Sequence, residues 1–558
     1  MSVILSEIRP GAYFDSVILM QMQKSLLELP GVLDVGVVMG TEANKSILEQ
    51  SGLLSSETKI AKSDDLIIAI KAQDREIGKR AISQVENLSK RASSTVANEY
   101  VANSLKTAAR MRPDAKFVLV SVPGIYAAEI VREALELGKH VILYSDNVSI
   151  DEEIDLKQRA SQKGLMMMGA DCGTVMINGV GLGFANRVRP GKIGLIGASG
   201  TGLQSIMTHI HNLGGGVSHA IGTGGRDLQM DVGAITTIQG LNLLSRDPGT
   251  KVIVIVSKPP SPEVTSRLLS SIRRIGKPAV LYFIGYAAPG RQFAGTRFAG
   301  SLRDAALSAI KLVDEEYETQ IPETIDGNLR GIFSGGTLAY EATLRLQATL
   351  NPLYSNVPVQ SAEPIPEDFS GVGHTIVDLG SDEFTVGRLH PMIDNDLRVR
   401  YIEKEALDPN VGVLLLDVVL GYGAHPDPAS ELAPAIEYTI RNSVGNLEVV
   451  AIVLGTEDDP QDVEHQIVKL NGAGAIVFRS TSEATDYISV RMASQAQVLG
   501  KQVSLESLQP PTSIINVGLE SFYYSLIDQG AKAIQTNWRP PAGGDQKLMA
   551  ILKRMKTN

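Results

Sequence analysis

A single cysteine, Cys172, is all that this chain of 558 residues contains. That excludes an intrachain disulfide and any cysteine-rich metal cluster, and it fits a reducing, cytoplasmic setting. Aromatic residues are only 5 %, with one Trp, and acidic residues outnumber basic ones (62 against 52, net charge −10). An acidic, aromatic-poor chain is not built to hold nucleic acid or an anionic membrane surface. Long apolar runs are missing too. The longest, such as Val252–Val256 and Val411–Leu416, have strand length, far short of the roughly 20 residues that cross a bilayer. The opening MSVILSEIRP has neither a basic n-region nor a small-residue cleavage site, so no targeting segment is expected. None of the eight histidines falls in a metal-ligand spacing; His209 and His211, two apart on one predicted helix, point to different sides.

What the chain has instead is glycine, 53 residues of it, clustered after short apolar runs. Phe117–Val120, Val141–Tyr144, Ile193–Ile196, Val217–Ile221, Val252–Val256 and Val280–Phe283 read as buried strands separated by helix-length segments. That alternation predicts an α/β protein of parallel sheets with right-handed crossovers. Five regions are expected. Residues 1–112 form a small N-terminal α/β domain. Residues 113–190 form a Rossmann-like domain of CoA-binding type. Residues 191–325 and 329–500 form two flavodoxin-like domains, with the acidic Asp314–Asn328 between them read as a linker, and residues 511–558 form a C-terminal tail.

The two flavodoxin-like regions read as copies. The first carries IGLIGASGTGLQS, GTGGRDL and LLSRDPGTKVIVIVSKPP; the second carries RGIFSGGTLAYEA, VDLGSDEF and EALDPNVGVLLLDVVLGYGAHP. Each runs strand, Ser-Gly turn, helix, then strand and acidic Gly turn, then Asp-Pro, strand and loop. Any two doubly wound units share part of this pattern.

The turns are where chemistry is expected. Ser199-Gly200-Thr201-Gly202 sits between a strand and a predicted helix. Small residues there leave backbone N–H groups open to a phosphate or carboxylate at the positive helix end. The other reading is a tight turn for close helix–strand packing. The turn lacks the lysine of a P-loop and the spacing of a dinucleotide fingerprint. Ser334-Gly335-Gly336-Thr337 is its counterpart in the second copy. Gly224, Gly225, Arg226 and Asp227 form the next loop, either an anion nest with a guanidinium clamp or an ordinary loop with Arg226 paired to Asp227. Cys172 beside Asp171 reads as structural. Lys258 follows a strand at the same end and reads either as a cation for an acyl phosphate or as a surface lysine. His390 and His425, in loops of the second copy, are acid–base candidates, with a surface or capping histidine as the alternative.

Residues 169–202, GADCGTVMINGVGLGFANRVRPGKIGLIGASGTG, resemble the join between the CoA-binding and ligase domains of the succinyl-CoA synthetase α subunit. GGVSHAIGTGGRDL resembles the region downstream. YFDSVILM, VMGTEANKSIL, ASGTGLQ, SHAIGTGGRDL and HPMID together are similar to the FdrA family of acyl-CoA-synthetase-like proteins. Three departures from the synthetases stand out. No histidine occurs in YFIGYAAPGRQFAGTRFAG, where the synthetase carries its phosphohistidine. Ser257-Lys258-Pro259-Pro260 replaces the turn holding its glutamate, and the N-terminal CoA-binding glycine turn is missing. The resemblance implies a subunit of a multi-component carbamoyltransferase of oxamate or allantoin breakdown, working with companion subunits on a small anionic substrate and on carbamoyl phosphate, without a metal. In that reading Ser199, Gly200, Thr201 and Gly202, with Gly224, Gly225 and Asp227 and with Ser334, Gly335, Gly336 and Thr337, cradle anions. Arg226 grips the second anion beside Gly224 and Gly225, Lys258 neutralises phosphate, and His425 donates a proton. Trp538, in a segment resembling one companion, is read as docking a partner or capping the fold. CoA or a nucleotide as ligand, an acyl-CoA ligase, a non-catalytic scaffold and a homo-oligomer stay open.

Overall fold

The structure, a computed structural model, describes residues 2–540 apart from 11–15, 63–64, 95–101, 287, 289, 294–295, 316–322, 358, 360–361, 366–372, 406 and 493–499. The expected linker therefore falls partly outside the described residues, as does the tail beyond residue 540. The chain divides into two compact units, Met1–Asn147 with Pro511–Asn558, and Val148–Pro510.

The first unit opens with a three-stranded antiparallel sheet. Leu66–Ala72 is central, between Val3–Arg9 and Val32–Met39. The central strand is apolar at nearly every position, because both its faces are covered. Leu66, Ile68 and Ile70 pack with Leu19, Met22 and Leu26 of one helix and Val85 of another, while Ile67 and Ala69 face Leu48 and Leu53 on the other side. This is the period-two alternation of a strand.

A parallel sheet follows in the same unit, in the order Lys532–Thr536, Ser513–Val517, Phe117–Val120, His140–Leu143. The last two are strands read from the sequence. The first two correct the expectation of a tail: residues 513–536 supply two paired strands and the helix Glu520–Asp528. The physical reason lies in SIINV, five buried residues that need a partner on each side. Trp538 packs at a tilt against Tyr126 of the helix Gly124–Glu136, ring centroids 5.5 Å apart and planes at 58°, which favours the capping reading.

The second unit holds two parallel sheets. In the first, the order is Gln292–Phe293, Thr296–Phe298, Ala279–Phe283, Val252–Ser257, Pro190–Gly197, Val217–Gly222, Met176–Ile177, Val180–Gly181, with antiparallel pairs only at its two ends. Leu195, Val254 and Val280 of the sheet pack with Leu203, Ile206 and Ile210 of the helix Gly200–Asn212. In the second sheet all pairs are parallel, in the order Leu353–Ser355, His374–Asp378, Asn328–Phe333, Val411–Val419, Glu448–Leu454, Ile476–Phe478. The run VGVLLLDVV is buried from Val411 to Val418 because helices cover both faces.

The two sheets share their central arrangement. Pro190–Gly197 lies between Val217–Gly222 and Val252–Ser257, and Asn328–Phe333 lies between His374–Asp378 and Val411–Val419. In both, the first strand of the copy is central and its neighbours arrive in the same chain order, as the repeated motifs imply. Among the described residues, no helix is long and apolar enough to cross a membrane.

Candidate functional site

In the first sheet the chain leaves Pro190–Gly197, fills the position on one side and then crosses to Val252–Ser257 on the other. Such a reversal opens a crevice at the carboxyl ends of the strands. Ser199 stands there as the N-cap of the helix Gly200–Asn212, its Oγ accepting the N–H of Gly202 at 3.2 Å. Among the described residues nothing accepts from the N–H groups of Gly200 and Thr201, so two donors at a positive helix end stay open. Side chains crowd both glycines: a Cβ on Gly200 would lie 3.2 Å from Thr174 Oγ1, and one on Gly202 would lie 2.8 Å from Ser199 Oγ. Lys258, exposed, follows directly on the strand Val252–Ser257 and has no ion pair among the described residues. Two threonines that the motif reading missed belong to this edge. Thr174 is buried beside Gly200, and Thr223, fully buried, follows Val217–Gly222 with its hydroxyl unpartnered. Their only signal in the sequence was adjacency to the glycine turns.

The neighbouring glycine loop does not form the expected nest. A Cβ on Gly224 would lie 2.3 Å from Ala170 O, so the segment before Cys172 fills the space. Gly225 is exposed, with the carboxylate of Asp171 on its side, which repels an anion. Arg226 is turned away from the crevice: Nε and Nη2 both donate to Glu153 Oε2, at 2.9 and 2.7 Å, and Nη2 also donates to Val148 O. Asp227 is fully buried and structural. It accepts the N–H groups of Thr236 and Thr237 at the start of the helix Ile235–Arg246 and the Nζ of buried Lys157 at 2.6 Å. The carboxylates of Glu153 and Asp227 surround Lys157, and Arg226 completes the cluster. Gly224, Gly225, Arg226 and Asp227 are therefore withdrawn as anion ligands. Cys172 is sealed in; burial pushes its thiol up to about 12, against hydrogen bonds from the Thr174 and Gly224 backbone.

In the second sheet part of the corresponding turn is taken by a side chain. The carboxylate of Asp417 accepts the N–H of Ser334 at 2.7 Å, its hydroxyl at 3.0 Å and the N–H of Gly335 at 2.8 Å. Ser334 and Gly335 thus do not stand open to a ligand as expected, while among the described residues nothing accepts from the N–H groups of Gly336 and Thr337 at the start of the helix Gly336–Leu346. His425 is committed as well: Nδ1 accepts the N–H of Asp427 at 3.1 Å, and Nε2 lies 3.1 Å from Glu431 Oε1. It ties its loop to the helix Pro428–Asn442 and is not a free proton donor. The better candidates at this edge are Asp378 and His390. They flank Gly380 so closely that a Cβ there would lie 2.8 Å from His390 Nε2 and 3.1 Å from Asp378 Oδ1. Burial first, and the nearby Asp417 charge, hold the Asp378 carboxyl above the usual carboxylate range, against the Gly380 N–H and His390. Among the described residues no group of three metal-ligating side chains is present.

Three family models match the chain: one described as CoA binding domain over residues 188–285, one described as CoA-ligase over 332–490, and one described as AllF, heavy metal-associated domain over 1–104. The CoA-binding match falls on the first eight-stranded sheet, not on residues 113–190, where the sequence reading put that type. The heavy-metal description does not fit the residues present: residues 1–104 contain neither cysteine nor histidine, so the thiolate and imidazole donors that usually hold such a metal are missing. With these matches, the two sheet units define an acyl-CoA-synthetase-like protein on a succinyl-CoA ligase α-type scaffold. An uncharacterized protein of Escherichia coli K12, YahF, is 37 % identical over 493 residues, covering 85 % of this chain and 96 % of its own. The chain belongs to the FdrA family. A succinate–CoA ligase [ADP-forming] subunit alpha 2 of Archaeoglobus fulgidus is 29 % identical over 196 residues, which span 34 % of this chain and 65 % of that protein. A solved dinucleotide-forming acetyl-coenzyme A synthetase 1 of Ca. Korarchaeum cryptofilum aligns at 15 % identity and TM-score 0.30, over 68 % of this chain and 82 % of its own.

Proposed function

We propose that this chain is the anion-binding subunit of a carbamoyltransferase, with Ser199, Gly200, Thr201 and Lys258 holding the phosphate of carbamoyl phosphate. The observation that carries the reading is the open helix end at Ser199: two unused backbone donors, a capping serine and a nearby lysine, with no histidine in residues 279–300 where the synthetases carry theirs. Backbone donors and a lysine suit a dianion whose charge grows as it leaves. In the direction from N-carbamoyl oxamate, a phosphate oxygen attacks the carbamoyl carbon, the bond from that carbon to the oxamate nitrogen breaks, and the nitrogen takes a proton. The products are carbamoyl phosphate and oxamate. Here the lysine and the helix end hold phosphate in place. Asp378 and His390 are the proton-transfer candidates that replace His425, and companion subunits supply what this chain lacks.

The test is carbamoyl phosphate release from N-carbamoyl oxamate and phosphate, with and without the companion proteins. Turnover lost in Lys258→Ala supports the reading; no turnover in any combination contradicts it. The CoA-binding and CoA-ligase matches favour a second reading, ligation of a small carboxylate to CoA at the expense of a nucleotide. Calorimetric binding of CoA with thioester formation would support that one, and absence of CoA binding would remove it.

A further inference from the structure

We infer that the seam between the helices Pro262–Arg273 and Thr481–Arg491 is a latent oxyanion site, which parts to let sulfate or phosphate reach the guanidinium of Arg273. Arg273 ends a helix that runs back from the carboxyl end of Val252–Ser257 to the start of Ala279–Phe283. It therefore lies at the other end of the first sheet from Ser199, and the site does not depend on the transfer reaction.

Polar side chains from the helices of both sheets line the seam. Ser266, Ser270 and Arg273, four and three residues apart, share one face of their helix. The helices Gly336–Leu346 and Thr481–Arg491 pack on the second sheet. Ser266 Oγ donates to the backbone oxygen of Thr349, just past the first of these, at 2.5 Å, and Thr349 Oγ1 is 2.9 Å from Ser489 Oγ. Arg345 donates through Nε to Thr485 Oγ1 at 2.8 Å and through Nη2 to Asp486 Oδ1 at 3.1 Å.

Arg273 is the exception. Its Nε, Nη1 and Nη2 are sealed from solvent without a hydrogen-bond partner, and the buried hydroxyl of Ser270, one turn earlier, has none either. Burial, against the charge of Asp486, holds the guanidinium down at about 9, so it is still a cation at neutral pH. Asp486 already accepts from Arg345, so two guanidinium groups share the field of that carboxylate. A buried donor without an acceptor loses its hydration with no return, and a charged one loses most.

Closed, the seam carries that cost; parted, it does not. The hydroxyls of Ser266, Ser270, Thr349 and Ser489 take up water readily, so little hydrophobic burial is lost where they meet. The sealed nitrogens leave no room for a water or an ion in the closed form, so an anion binds only the parted form and draws the population toward it. The donor sets the ligand class: a guanidinium fork offers parallel N–H groups to two oxygens of one anion, a fit that a halide lacks.

The experiment is hydrogen exchange of the full chain in sodium sulfate and in sodium chloride at equal ionic strength. Sulfate favours compact states in general, so faster exchange in it is a local signature. The expected result is amides of residues 266–273 and 482–491 exchanging roughly threefold faster in sulfate. In Arg273→Met, which keeps an unbranched stem and drops the charge, that difference disappears and the denaturant midpoint rises above wild type. Equal or slower exchange of both segments in sulfate overturns the inference, and so does a variant that unfolds earlier than wild type or keeps the sulfate response. Lys258→Ala separates this site from the Ser199 turn and is expected to keep the response. A response lost there would assign the effect of sulfate to that turn and overturn the inference.

Discussion

Arg226 clamps Glu153: Nε and Nη2 converge on one carboxylate oxygen, Oε2, at 2.9 and 2.7 Å. Glu153 is fully buried on the helix Ile150–Lys163, while the guanidinium stays half-exposed. An arginine held this way stabilises the fold and is not available to a substrate. Arg226→Ala should lower unfolding free energy by about 1–3 kcal/mol, the range for hydrogen bonds to a charge, reduced toward the low end by solvent. Phosphate affinity should be unchanged. A tenfold loss of affinity at unchanged stability would return Arg226 to the anion site.

Lys157 is the deeper member of the same cluster, 1 % exposed, ion-paired with Glu153 and hydrogen-bonded to Asp227 and the Thr223 carbonyl. Lys157→Met removes the cation between two buried carboxylates and leaves Glu153 to Arg226 and Asp227 to Thr236 and Thr237, which costs about 3 kcal/mol, the low end for breaking a buried pair. The denaturant midpoint should fall accordingly. A change below about 1 kcal/mol would mean that those carboxylates carry no charge in the folded chain.

His140 and His374 set an acid limit on stability. Burial, and then Lys116, lowers His140 to about 4, and burial, and then Arg330, lowers His374 to about 4. Both fold neutral while the unfolded chain titrates near 6.5. Their contribution is therefore complete above pH 6.5 and is lost as pH falls from there toward 4, on the order of 3 kcal/mol per histidine. Unfolding free energies measured across that window should drop, and His374→Gln, which keeps an acceptor for the Leu329 N–H, should flatten part of the slope. A flat profile in the wild type would contradict this.

Lys258 is exposed, so its contribution to anion binding should be electrostatic and screened by salt. Lys258→Ala should weaken phosphate binding roughly tenfold at low ionic strength and about twofold near 1 M salt, where the Debye length is about 3 Å. A salt-independent loss would point to a structural role for the lysine.

Local patterns carried much of the fold into the sequence. The strands from Phe117 to Phe283, the glycine that closes the helix Gly124–Glu136 and the order of the repeat were legible because each depends on neighbours in the chain. What was hidden depends on distant residues. Arg226 meets Glu153 from 73 residues away, and Ser334 meets Asp417 from 83. The strand Ser513–Val517 finds Phe117–Val120 almost 400 residues earlier. At the site the Ser199 turn was legible as a shape, because Ser-Gly-x-Gly after a strand forces a capped helix start. That a carboxylate 83 residues on takes Ser334 and Gly335 in the second turn was not.

Titration of the full chain with inorganic phosphate, comparing wild type with Gly200→Val, tests the open cradle most directly. The valine would crowd Thr174 Oγ1, 3.2 Å from its Cβ, and stand over the helix end. The account predicts about one phosphate per wild-type chain and none in the variant. Phosphate held equally by both, or by neither, would contradict it.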